Sequence, residues 1–169
     1  MATGDIFPYE NAASTNFSGA LKFKVTANST GSDGAVSRIK PGEPVTKVAG
    51  AAGVLAAATN APTTTLRIVG VATDTSNETA AADGTVSITP ALDGQIWLIK
   101  PKVAASWDTQ AEYNALIGAR VLIDNTSGTY TILASDGASN GCVVEYLNVA
   151  ERPGLVAFSF SPLVNYKNV

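Results

Sequence analysis

The β-type runs of this chain are short, and turn formers cut off nearly every one of them. "ALKFKVTA" ends in "NSTGSDG", "LRIVGVAT" in "DTSNETAAADG", "TVSIT" in "PALDG", "ARVLID" in "NTSG", "TYTILA" in "SDGASNG" and "CVVEYLNV" in "AERPG". Many short strands at turn-punctuated spacing specify an all-β fold, a small β-barrel or sandwich. The chain has 169 residues. A domain of that size buries roughly 70% of its unfolded surface, and the length argues against two full domains.

Alternation is clearest at residues 21–26, where Leu21, Phe23 and Val25 oppose Lys22, Lys24 and Thr26, the pattern of a half-buried strand. "QIWLIK" is apolar on both sides, with Ile96 and Leu98 opposing Trp97 and Ile99, so it is expected as a central or interface strand. Gly70, inside "LRIVGVAT", predicts a bulge or a close backbone approach. "ARVLID" and "TYTILA" form a hairpin turning at Asn125–Gly128. "RIKPGEPVTKV" reads as a tight reversal between two short strands, "AVSRIK" and "VTKV", with Pro44 at an edge or a strand start. One short helix is expected over roughly Trp107–Leu116. Ser106 is its N-cap, Asp108 lies in its first turn, Trp107, Ala111 and Leu116 form its apolar stripe, and Gly118 stops it.

Residues 1–19 show no sustained period and read as an extended N-terminal arm; residues 20–169 read as a single β-rich domain. The arm carries Ile6, Phe7, Tyr9 and Phe17, more apolar surface than a loose tail needs. Those four either fold back onto their own domain or dock on a neighbouring subunit or partner. They are the candidate partner-binding residues.

Reaction chemistry finds little to work with. The chain has no histidine, which removes Ser-His-Asp and Cys-His catalysis and His-ligated zinc. Its one cysteine, Cys142, sits in an apolar run and reads as a small buried hydrophobe. The loop at residues 49–65 has Gly50 and Gly53 but no Lys-Ser/Thr and no G-x-G-x-x-G, so it is no phosphate loop. Asp74, Asn77, Glu78 and Asp83 share a loop, as do Asp124 with Asn125 and Asp136 with Asn140. No calcium-loop spacing links them, and turn formation accounts for them. Trp97, Trp107, Tyr130 and Tyr146 are expected in the core rather than on a sugar-stacking platform. No cofactor and no metal are expected.

Composition narrows the partners. Only 15% of residues are charged, against a usual value of about 25%, and the net charge is −3 with no Lys/Arg cluster. Nucleic-acid binding needs clustered cations, so none is expected. No apolar run approaches the ~20 residues of a membrane helix. "MATGDIFPYEN" lacks the basic start and apolar core of a signal peptide, so synthesis in a cytoplasm without export by that route is expected.

"RIKPGEPV", a small-residue loop, "LRIVGVAT" and then "DGQIWLI" together resemble the barrel half of tailed-bacteriophage capsid decoration (cement, or head-stabilising) proteins. The residues that carry the resemblance are Pro41, Gly42, Pro44 and Val45, then Val69, Gly70, Val71 and Ala72. It spans roughly residues 20–125, and its motifs are short, apolar and turn-like. The resemblance implies a non-enzymatic structural virion protein on the outer surface of the expanded phage head. Its partners would be the major capsid protein and further copies of itself, a trimer being favoured. The arm residues would be the contact, acting through avidity. The alternative is a tail, fibre or host-adhesion module. A third reading, an enzyme or sugar-binding domain, predicts a deep pocket with convergent carboxylates or exposed aromatics.

Overall fold

In the computed structural model, which describes residues 6–8, 21–26, 38–47, 53–56, 68–79, 81–91, 94–134 and 141–161, the short runs become eleven strands in two antiparallel sheets. The first sheet has five strands. In chain order they are β2 (Leu21–Val25), β3 (Pro44–Lys47), β4 (Val54–Ala56), β5 (Ile68–Ala72) and β6 (Gly84–Pro90), and in space β2-β6-β5-β3-β4. The second has six, ordered β1-β7-β11-β10-β8-β9. These are β1 (Phe7–Pro8), β7 (Ile96–Ile99), β8 (Arg120–Thr126), β9 (Thr129–Leu133), β10 (Cys142–Val144) and β11 (Val156–Phe160). The fold is all-β with one short helix. The two edge strands of the first sheet approach each other where Gly53 lies beside Lys24 O and Thr26, but among the described residues no ladder joins them and the barrel is not closed.

The chain fills the two sheets almost in sequence, β2 to β6 first and β7 to β11 second. β1 is the exception, a strand from the start of the chain on the outer edge of the sheet made last.

Most expected strands form where the alternation places them. β7 lies between β1 and β11 with Trp97, Leu98 and Ile99 all buried, as two apolar faces require. At β5 both anticipated features of Gly70 are present. Val45 faces Gly70 and Thr46 faces Ile68, which leaves Val69 as the extra residue of a bulge. A Cβ on Gly70 would lie 2.2 Å from Thr89 O and 2.5 Å from Ile88 Cγ2. The bulge also explains why Ile68 and Val71, three residues apart, share one core while Ala72 belongs to the other.

Beside the strand β4 found inside the loop expected at residues 49–65, where Val54–Ala56 pair with β3, three expectations need correction. The helix α1 runs Gln110–Leu116 and its N-cap is Thr109, not Ser106. Thr109 Oγ1 accepts from the Glu112 N–H, and Glu112 Oε2 accepts from the Thr109 N–H, a reciprocal capping box that Ser106 has no glutamate to complete. Ser106 instead ends a 3₁₀ turn, Ala104–Ser106. Within α1 the buried residue is Tyr113; Ala111 is exposed. The helix stops as expected, with Gly118 at φ +81°. Second, residues 38–40 are not a strand. Ile39 N–H donates to Ser76 Oγ at 2.8 Å and Ile39 O accepts from Ser76 N at 3.0 Å, so its backbone is satisfied by a loop rather than by β3. The Pro41–Gly42 turn, with Gly42 at φ +85°, leads into β3 at Pro44. Third, the strand within "CVVEYLNV" is only Cys142–Val144, followed by a further backbone bond from Glu145 N–H to Ala157 O at 2.9 Å.

Candidate functional site

Of the four candidate contact residues, Ile6 is the one whose side chain the structure places. It is 3% exposed, inside the larger core with Trp97 and Leu98. Within the single chain Ile6 thus takes the first of the two placements expected for the arm residues, packed on its own domain. It packs in the cluster that joins Ile68 and Val71 of β5 to Trp97, Leu98 and Ile99 of β7. Phe7 lies in β1, opposite Leu98 in the ladder; its side chain, together with Tyr9 and Phe17, lies outside the described residues.

The geometry around Ile6–Pro8 is that of a strap. On one side Phe7 and Pro8 pair with Leu98 and Trp97 of β7. On the other, Ile6 N–H donates to Gly42 O at 3.2 Å. Gly42 belongs to the Pro-Gly turn. That turn is in turn tied to β5, because Gly42 N–H donates to Ala72 O at 2.8 Å and Ala72 N–H donates to Glu43 O at 2.9 Å. Glu43, itself buried, closes the turn by accepting the Lys40 N–H on Oε2 at 3.0 Å. The two stretches that carried the resemblance, Pro41–Val45 and Val69–Ala72, are thus hydrogen-bonded neighbours, and the N-terminal strap is fastened to them.

The described contacts of the strap are few. Burying Ile6 contributes about 1.5–3 kcal/mol. Each hydrogen bond adds about 0.5–1.5 kcal/mol, and Pro8 has no N–H to give. Ordering three residues opposes this by about 1–2 kcal/mol each.

The polar loops serve the fold. Asp74 accepts from Ser87 N–H and Oγ–H at 2.8 and 2.6 Å, Asn77 Oδ1 accepts from Thr85 N–H at 2.7 Å, and Asp83 pairs with Lys24. Asp124 is buried, paired with Lys102 at 2.9 Å and bonded by Thr126 Oγ1–H. No group of three acidic or cysteine side chains with metal-ligand spacing occurs among the described residues. Cys142 is fully buried, and burial pushes its thiol well above the ordinary range, as expected of a packing residue. Trp97, Trp107 and Tyr130 are core residues as anticipated, whereas Tyr146 is 62% exposed. Among the described residues the other exposed large hydrophobics, Leu21, Val103 and Ile117, stand on separate segments.

Two buried residues that pattern reading passed over tie distant segments together. Tyr113 OH accepts from Ala157 N–H at 2.8 Å and donates to Glu145 O at 3.0 Å, fastening α1 to the second sheet. Ser76 does the same for Ile39. The Thr-x-x-Glu at residues 109–112 was a legible signal for the helix start; nothing local marks Tyr113 or Ser76. Comparison with known protein families, with curated proteins and with solved structures finds no match.

Proposed function

We propose that the protein is a structural virion component that binds the outer surface of an expanded tailed-phage capsid and stabilises it by bridging neighbouring capsid subunits. The observation that carries the reading is the junction at Gly42, where the two stretches resembling decoration proteins form one hydrogen-bonded unit to which the N-terminal strand is attached. A sheet junction of this kind is a rigid base from which chain on either side of the strap can reach a partner. The low charge makes such attachment insensitive to salt. Several weak contacts on one oligomer act at high effective concentration, so attachment is by avidity. The reading assigns no reaction and no cofactor to the chain.

The contact residues it leaves are Tyr9 and Phe17, with Phe7. Quantitative proteomics of purified particles is the test. Copy numbers near that of the major capsid protein support head decoration. A few copies per particle move the reading to a tail or fibre part, and absence from particles overturns both. Alongside it, Tyr9→Ala with Phe17→Ala is expected to reduce co-sedimentation with expanded capsids while leaving the melting temperature unchanged. Undiminished co-sedimentation removes the arm from the mechanism.

A further inference from the structure

We propose that the slot holding Ile6–Pro8 is an intersubunit strand acceptor, filled in the oligomer by Ile6–Pro8 of a second copy of this chain. The occupant's chemistry is already on the page, because the intrachain contact is a template for the same contact made in trans. The slot has three parts: the outer edge of β7 at Trp97 and Leu98, the acceptor Gly42 O, and the apolar space that takes Ile6. An identical strand from another copy meets all three without any new interaction, which is the condition for domain swapping.

Three observations favour exchange at this strand over any other. β1 is the one strand out of sequence order among the described residues, so its removal breaks no hairpin. Its ladder is two residues long and includes a proline, so release is easy. Twelve residues, 9–20, separate Pro8 from β2. Fully extended they span about 40 Å, close to the diameter of a domain of this length, so they are long enough to reach an adjacent copy. An emptied slot exposes a strand edge, which in a monomer invites pairing with another chain. In a closed ring each copy gives a strand and receives one, leaving no edge open.

This inference rests on the homo-oligomer in the functional proposal and not on the capsid, so it is tested with the purified full-length protein alone. Equal amounts of ¹⁴N- and ¹⁵N-labelled protein are mixed, unfolded, refolded together and treated with a carbodiimide, which joins carboxylates to nearby lysines. Asp5 precedes Ile6, and Lys40 precedes the turn that accepts it, so Asp5–Lys40 links report occupancy of the slot. Mixed-isotope links support exchange. Same-isotope links alone, or no such link at all, overturn it. As an independent arm, Phe7→Cys protein is mixed with Leu98→Cys protein under oxidising conditions. Cys142 is buried and does not compete. A disulfide-linked heterodimer is expected, and its absence from the folded mixture counts against exchange. In assembled particles, links from Asp5 to another protein in place of Lys40 assign the strand to that partner and overturn the second-copy occupant.

Discussion

Two cores lie on opposite faces of β5, and they are built from different materials. The larger contains Trp97, Trp107, Tyr113, Tyr130, Phe158 and Phe160, with Trp97–Phe160, Trp107–Tyr113 and Phe158–Phe160 meeting edge to face at 6.0, 5.6 and 5.3 Å. The smaller consists of Val25, Ile39, Val45, Val54, Ala72, Val86 and Ile88, with Phe23 packed against it from a partly exposed position. Edge-to-face pairs add about 0.5–1.5 kcal/mol each beyond the area they bury. The aliphatic core lacks that contribution, and its rim is sealed by polar clasps instead. Residues 73–77 run beside β6, where Thr73 N–H donates to Ser87 O, Asn77 N–H donates to Thr85 O, and the Asp74 and Asn77 side chains return the complementary bonds. Ser76 clasps Ile39 on the other side. Ring stacking closes one layer of this fold, and side chains acting as backbone close the other.

The largest effect is expected from breaking the aromatic core itself. Phe158→Ala removes a ring that is fully buried and in contact with Phe160, and about 3–5 kcal/mol of stability goes with it. Ile88→Ala in the smaller core is expected to cost about 2–5 kcal/mol. Because β5 walls both cores, each variant unfolds in a single transition. Tryptophan emission reports the larger core, and amide exchange at Val25 and Val86 reports the smaller. Two separated transitions would show that the cores are independent.

Gly70→Ala attacks the shared wall. The added carbon meets a backbone oxygen at 2.2 Å, which cannot rotate away. A loss near the upper end of the roughly 1–3 kcal/mol range for overpacking is expected, with both reporters affected. If only one moves, β5 does not couple the two cores.

Tyr113→Phe is a smaller cut, confined to the aromatic side. It leaves the Ala157 N–H without its acceptor, and a buried unpaired donor costs about 1–3 kcal/mol. Burial, the largest influence, pushes the Tyr113 phenol up to about 12 from its ordinary 10.0. The neutral form is therefore favoured in the folded chain. Stability from this residue is complete below pH 10.0 and lost as pH rises toward about 12, because the unfolded chain ionises first. Denaturant titrations between those pH values should show a decline that Tyr113→Phe flattens.

Much of the strand pattern was legible because period-two alternation and turn formers act locally. Leu21–Val25, the bulge at Gly70 and the hairpin before Thr129 all follow from residues within reach of one another. What escaped was long-range. That "TVSIT" and "QIWLIK" belong to different sheets depends on β6 pairing back with β5 and β2 while β7 pairs with β11 and β1, and no property of "PALDG" encodes it. Ile39 looked like a strand residue because it is apolar among polar neighbours, yet its backbone partner is Ser76, 37 residues away. The arm aromatics suggested a docking role, but nothing local distinguishes an Ile6 that plugs its own core from one that reaches a neighbour.

The smallest effect is expected where the clasp replaces the ring. Asp74→Ala removes the acceptor of both Ser87 donors at the exposed rim of the smaller core. Water can satisfy those donors, so the loss should be only about 0.5–1.5 kcal/mol. Its location matters more than its size. Amide exchange should quicken at Ser87 and, because Thr73 N–H also bonds Ser87 O, at Thr73, while the indole emission of Trp97 and Trp107 stays unchanged. Asp74→Asn keeps one acceptor oxygen for the Ser87 N–H and should recover most of the protection. If Asp74→Ala instead shifts the tryptophan signal, the clasp is coupled through β6 and β5 to the aromatic core, and the division of labour between rings and clasps fails. If it changes neither exchange nor stability, the aliphatic core holds by shape alone.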